Sequence, residues 1–166
     1  MNDVKSNPWY VGERGELLAG VFLLDLNPEY LGRAIKQPAA YDYLATFKFS
    51  NDRLVTISVE VKATEKPLND RHILLLPRRQ VEAMRSSNIP FLIVVADVIR
   101  NIIGFNWATA LEDMGGRARM VDYHRFALPL RKPTPEEVGA LKAEIEGQQS
   151  PAPLRLARRG RAEGEA

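Results

Sequence analysis

Cysteine is absent from the 166 residues. That excludes disulfides, thiol nucleophiles, iron–sulfur clusters and thiolate zinc sites, and it suits a reducing, cytoplasmic setting. Histidine is nearly absent too: His72 and His124 are the only two, so neither a multi-histidine metal cage nor an HExxH site can be drawn. No long hydrophobic run occurs. The longest, Phe91–Ala96, is far short of a membrane span, and Met1-Asn2-Asp3-Val4-Lys5-Ser6 lacks the apolar core of a signal peptide. A dominant charge is also lacking, with 23 basic against 21 acidic side chains and a net of +2. That balance neither announces nucleic acid nor forbids it.

What is present is globular. Hydrophobic residues make up 45% and charged residues 27%, and the length suits one domain with its own core. We expect that domain to occupy residues 1–147. Residues 148–166 lose apolar periodicity and carry Arg155, Arg158, Arg159 and Arg161, which reads as a disordered basic tail.

Along the chain, residues 1–11 read as an irregular lead-in. A helix is expected over Gly12–Leu26, with Leu17, Leu18, Val21, Phe22 and Leu24 on a broad apolar face. Residues 27–40 read as a connection. Tyr41–Phe49 and Arg53–Val61 alternate as a β-hairpin, with Val55, Ile57, Val59 and Val61 on one face and Ser58, Glu60 and Lys62 on the other. A third strand follows at His72–Leu76, then a helix from Pro77 through Ser87. Phe91–Val98 reads as a doubly buried strand with Ile102–Trp107 as its hairpin partner. Ala108–Met114 reads as a short helix ended by Gly115-Gly116, and Val121–Leu130 as a last strand. Thr134-Pro135-Glu136-Glu137 is a capping box opening a helix to about Gly147. The fold class is α/β or α+β, with a central mixed sheet flanked by helices.

Asp42, Glu60 and Lys62 carry the chemistry worth arguing. Glu60 and Lys62 leave one strand on the same face, about 7 Å apart, and a hairpin brings Asp42 alongside. Adjacent carboxylates repel unless a cation neutralises them, and oxygen ligands favour Mg²⁺ or Mn²⁺. A lysine beside them can hold an attacking water or stabilise charge on a phosphate. Glu13 and Glu16, one helical turn apart, offer a third carboxylate. The acid-x-lysine spacing also occurs at Asp3-Val4-Lys5, but only Glu60-Val61-Lys62 lies on a strand with an acid on its neighbour.

Register decides whether this site can exist. A two-residue turn at Asn51-Asp52 pairs Ser50 with Arg53 and sets Asp42 across from Val61, on the valine face. An odd-length loop such as Ser50-Asn51-Asp52, or a bulge, sets it across from Glu60 or Lys62 instead.

The order helix-Glu, hairpin-Asp, strand Glu-x-Lys, strand, helix resembles the PD-(D/E)XK nuclease superfamily, of restriction-endonuclease-like fold. Within that superfamily it looks like small prokaryotic members similar to Mrr-type endonucleases and archaeal Holliday-junction resolvases. The stretches GERGELLAG, AAYDYLATF and VTISVEVKAT carry the likeness, which covers roughly Gly12 to Trp107. The resemblance implies a Mg²⁺- or Mn²⁺-dependent endonuclease acting on DNA. Asp42, Glu60, the Val61 carbonyl and Glu16 would be metal ligands, and Lys62 would assist the nucleophilic water. Glu16 is preferred to Glu13 because Gly15-Glu16 matches the family's GE pair, and Gln80 is the helix residue that many members place beside the site. A homodimer or a larger defence or repair complex would be its partners, with no membrane.

Blander readings stand beside this one. A strand-borne Glu and Lys is ordinarily a solvated sheet face, and Glu13 and Glu16 can be dipole-favoured charges at a helix start. Arg78-Arg79-Gln80 in a first helical turn can hold a phosphate or simply be solvated. His72 fits an ordinary strand position, and Trp9 and Trp107 fit packing. The rival functions are a non-catalytic nucleic-acid-binding or assembly module with a nuclease-like fold, and a scaffold domain whose acids are only surface.

Overall fold

Asn7 opens the first helix. Its side chain accepts a hydrogen bond from the Trp9 backbone N–H at 3.0 Å, and Pro8 follows where its missing N–H costs nothing. In a computed structural model that describes residues 7–34, 41–117 and 122–148, helix α1 therefore spans Pro8–Asp25, not Gly12–Leu26. Asp3-Val4-Lys5 and the arginine-bearing tail lie outside the described residues.

The buried side of α1 also differs from expectation. Gly15, Ala19, Phe22 and Leu23 face inward, whereas Leu17, Val21 and Leu24 are exposed. Apolar residues surround this helix, so periodicity alone does not select a face; close approach does. A Cβ at Gly15 would lie 2.5 Å from the Ala63 Cβ, so the helix sits on the sheet at a distance that only glycine permits.

Part of the expected connection is a strand. β1, Tyr30–Arg33, pairs antiparallel with β2, Tyr43–Lys48. β2 pairs antiparallel with β3, Leu54–Thr64, in the register Tyr43↔Val59. The loop between them is the three-residue Ser50–Asp52, with Phe49 N–H donating to the Arg53 carbonyl at 2.8 Å. Asn51 and Asp52 adopt φ of 65° and 57°, the left-handed conformation these two residue types tolerate best.

β3 pairs in parallel with β5, Phe91–Asp97, which pairs antiparallel with β6, Ile102–Trp107. The five-stranded mixed sheet has the order β1-β2-β3-β5-β6. β4, Arg71–Pro77, leaves this sheet and joins a second, three-stranded one of order β4-β8-β7. Its members β7 and β8 are Glu112–Arg117 and Tyr123–Pro129. The helix expected at Ala108–Met114 is instead a 3₁₀ turn, Ala108–Ala110, leading into β7. Gly115 and Gly116 do not stop a helix there. They take φ of 70° and 80° inside the strand, where the ladder to β8 shifts register, so cross-strand pairing overrides the local helical pattern.

Helix α2, Arg78–Ser86, follows β4, and α3, Pro135–Gly147, closes the described chain. Half of the expected capping box forms: Thr134 accepts from the Glu137 N–H at 3.2 Å, whereas the Glu137 carboxylate turns to Arg131 and the Thr134 N–H donates to the Lys132 carbonyl. The central sheet separates two cores. Leu92 and Val94 of β5 pack into the core with α1, α3 and the valine face of β3. Ile93 and Val95 pack into the other with β4, β8 and α2. Among the described residues, no helix is long and apolar enough to cross a membrane.

Candidate active site

The two cores leave a polar seam where β2 ends and β3 continues. β3 pairs with β2 only through Val59, yet its ladder with β5 runs to Thr64. Beyond Val59 its β2-side edge therefore has no strand partner among the described residues. Asp42, just ahead of β2, takes over this edge. Its backbone N–H donates to the Val59 carbonyl at 2.9 Å, and its Oδ2 accepts from the Val61 N–H at 2.6 Å. Because a residue's N–H and C=O leave a strand on the same edge, the Val61 carbonyl points to the same side as Asp42.

The ladder itself ends at Tyr43↔Val59, but Asp42 lies near enough to Glu60 to feel its charge. Glu60 is 9% exposed, so this face of β3 is no solvated sheet surface. Two donors hold its Oε1: Lys62 Nζ at 2.8 Å and Gln80 Nε2 at 3.0 Å. Gln80 arrives from the first turn of α2. Asp42, Glu60, Lys62 and Gln80 thus come together from the segment ahead of β2, from β3 and from α2.

The electrostatics mark Asp42. Its carboxyl is pushed up to about 6, first by burial and then by the negative charge of Glu60, against the opposing pull of the Val61 N–H and Lys62. Glu16 also raises it, so the helix acid is close enough to be felt. Its carboxylate, however, is bound elsewhere. Arg33 Nε donates to Glu16 at 2.7 Å, and Arg33 Nη2 donates to both oxygens of Glu13 at 2.9 Å. These acids lie well inside α1, not at its start, so a dipole role does not describe them. Tyr43 fixes the same turn by donating its hydroxyl to the Glu16 carbonyl at 2.6 Å.

Arg33 and Tyr43 escaped the sequence reading. Nothing local flags an arginine in YLGR; only the pairing of β1 with β2, which sets Arg33 across from Tyr43, carries it to α1.

Among the described residues, no three acidic or histidine side chains gather into a cation cage. Asp42, Glu60 and the Val61 carbonyl still form a set of hard oxygen donors, and Mg²⁺ is commonly held by one or two carboxylates with water completing its octahedron. The donor chemistry fits such an ion. His72 lies apart: its ring is buried, its Nδ1 makes no hydrogen bond, and burial lowers its pKa, as for a neutral core histidine. Arg78 pairs with Asp113 at 2.9 Å. Trp9 is exposed, and the Trp107 indole donates to Glu144 at 3.1 Å. No family model matches the chain, and neither does a curated protein or a solved structure.

Proposed function

We propose that this chain is a metal-dependent nuclease of the PD-(D/E)XK type, hydrolysing DNA phosphodiester bonds at Asp42, Glu60 and Lys62. One observation carries the reading: Asp42 lies near Glu60 with no ion-pair partner among the described residues, its carboxyl held at about 6 by burial and by that neighbour. Asp42, Glu60 and the Val61 carbonyl would hold the ion, with Glu16 the nearest further acid. When bound, a hard divalent cation supplies Lewis acidity for phosphate and water.

The chain's own residues do the rest. Lys62 Nζ, anchored on Glu60 at 2.8 Å, keeps further donors for an incoming water or for a phosphate oxygen that gains charge. Gln80 fixes the rotamer of Glu60, and the Val61 N–H fixes that of Asp42. Both first contacts are therefore preorganised. Cutting both strands of a duplex needs two such sites, which favours a homodimer, and DNA with a cysteine-free chain fits the cytoplasm.

A second reading has its own support. Lys62 and Gln80 already satisfy Glu60, and Arg33 already neutralises Glu13 and Glu16. A non-catalytic nucleic-acid-binding or assembly module would keep such a network for structure alone.

Supercoiled plasmid and a branched junction, incubated with the protein in Mg²⁺, Mn²⁺ or EDTA, separate the two. Cleavage in metal that EDTA and Lys62→Ala abolish is the expected result. Intact DNA in every lane, together with no Mn²⁺ binding by calorimetry, would leave the module.

A further inference from the structure

Beside the acids lies a cavity of about 530 Å³, lined by Tyr41, Ser58, Gln80, Met84 and Phe91. That volume falls within the roughly 300–1,000 Å³ of small-ligand pockets. Two observations tie it to the reaction centre. Gln80 lines the cavity and also donates to Glu60. Ser58 stands on the same face of β3 as Glu60, two residues before it and therefore about 7 Å along the strand.

Two polar groups of this cavity, on Ser58 and Gln80, keep hydrogen-bonding capacity. Ser58 is 3% exposed, and among the described residues its hydroxyl makes no hydrogen bond. The Gln80 amide spends its nitrogen on Glu60, and its oxygen accepts no hydrogen bond among those residues. A hydroxyl that lines a cavity without a protein partner keeps its donor and acceptors for an incoming group. The walls are flat or apolar: the Tyr41 ring, Met84 and Phe91. A hydroxyl and an amide oxygen between such walls match a nucleobase, which has two π-faces and an edge of donors and acceptors.

We propose that this cavity receives an unpaired nucleobase from the DNA strand whose phosphate meets Asp42 and Glu60. The substrate class is then single-stranded or frayed DNA, because a base in an intact duplex must be unstacked and unpaired before it can enter. The assignment rests on the nuclease reading for its ligand. Ser58 and Gln80 hydrogen-bond the base edge, and Tyr41 supplies the stacking surface.

The test is fluorescence anisotropy with a fluorescein-labelled single-stranded 20-mer and the blunt duplex of the same sequence, at one fixed salt concentration in EDTA. The wild-type protein should bind the strand at least about tenfold more tightly than the duplex, the scale of one base stacked on an aromatic ring. Ala83 also lines the cavity, from an exposed position of α2, so Ala83→Trp narrows it without disturbing a core. Ala83→Trp and Ser58→Ala should each bring the strand-to-duplex ratio toward one. Equal wild-type affinities overturn the proposal. So does an unmoved ratio in Ala83→Trp with a wild-type thermal midpoint. Plasmid cleavage in Mn²⁺ by wild type and Asp42→Asn runs in parallel. Cleavage that needs Asp42, alongside an unmoved ratio, removes only the base pocket. Absent cleavage removes the nuclease reading, while the ratio still decides whether the cavity takes a base.

Discussion

Two pairs of acids lie near one another in this molecule and are treated in opposite ways. Glu13 and Glu16 on α1 share Arg33, which donates to both within 2.9 Å. Asp42 and Glu60 share no arginine among the described residues. Lys62 and Gln80 both settle on Glu60, and among the described residues the Asp42 carboxylate accepts only from the Val61 N–H, with its carboxyl raised to about 6. The first pair is neutralised within the fold. The second leaves charge uncompensated in a half-buried place, which a purely structural network gains nothing by doing.

The sharpest way to break this contrast is to remove Lys62. If the Asp42–Glu60 pair is catalytic, Lys62→Met should lower cleavage at least about 10²-fold, the scale of a lost electrostatic stabiliser, and weaken DNA binding far less. Single-turnover rates beside anisotropy separate the two effects. Equal rates in variant and wild type would reduce the lysine to a surface charge.

Gly15 sets how close the two pairs stand, because it lets α1 approach β3 at Ala63. In Gly15→Ala the new methyl would meet the Ala63 Cβ at 2.5 Å, and backbone must move. A loss of about 1–3 kcal/mol is expected, as for other overpacked sites, read from urea denaturation.

Asp42→Asn sharpens the comparison through pH. The folded-state carboxyl titrates at about 6, above its ordinary 3.8. Between those values the folded protein binds more protons than the unfolded chain, so Asp42 costs stability as pH rises. The cost is complete above about pH 6 and absent below about pH 4. Without metal, Asp42→Asn should therefore raise the melting temperature by a few degrees at pH 8 and leave it near wild type at pH 4, by calorimetric scans. In Mn²⁺ the ordering at pH 8 should reverse, because the variant loses a ligand.

Arg33→Ala is the mildest break. Its guanidinium and Glu13 are 35% exposed and Glu16 26%, so solvent screens the ion pairs and about 1 kcal/mol is the expected loss. Chemical denaturation at low and high salt checks it, with the difference shrinking as salt rises.

Much of this was legible before the fold. Alternation over Arg53–Val61 separated valines from Ser58, Glu60 and Lys62, because a strand's period of two follows from the backbone itself. The parity argument on the hairpin called for an odd-length loop or a bulge, and Asn51-Asp52 is a pair whose side chains tolerate the left-handed backbone of such a loop. Capping at Thr134 was equally local. Less was legible wherever a residue's partner is distant. The apolar positions around α1 do not reveal that Gly15 and Ala19 face inward, since steric fit against Ala63 and its neighbours makes that choice. Ala108–Met114 carries a helical pattern that pairing with β8 overrides.

The acid pairs divide along the same line. The sequence by itself determined that Glu60 and Lys62 share a strand face and that Asp42 can join them, because strand period and loop length are properties of a few neighbouring residues. Only the tertiary structure decided that Arg33 reaches back to α1, that Gln80 reaches Glu60 from α2, and that β3 outruns β2 just where Asp42 caps its edge. Those contacts span sheet order and helix packing, and such long-range pairings depend on how every element closes on the others.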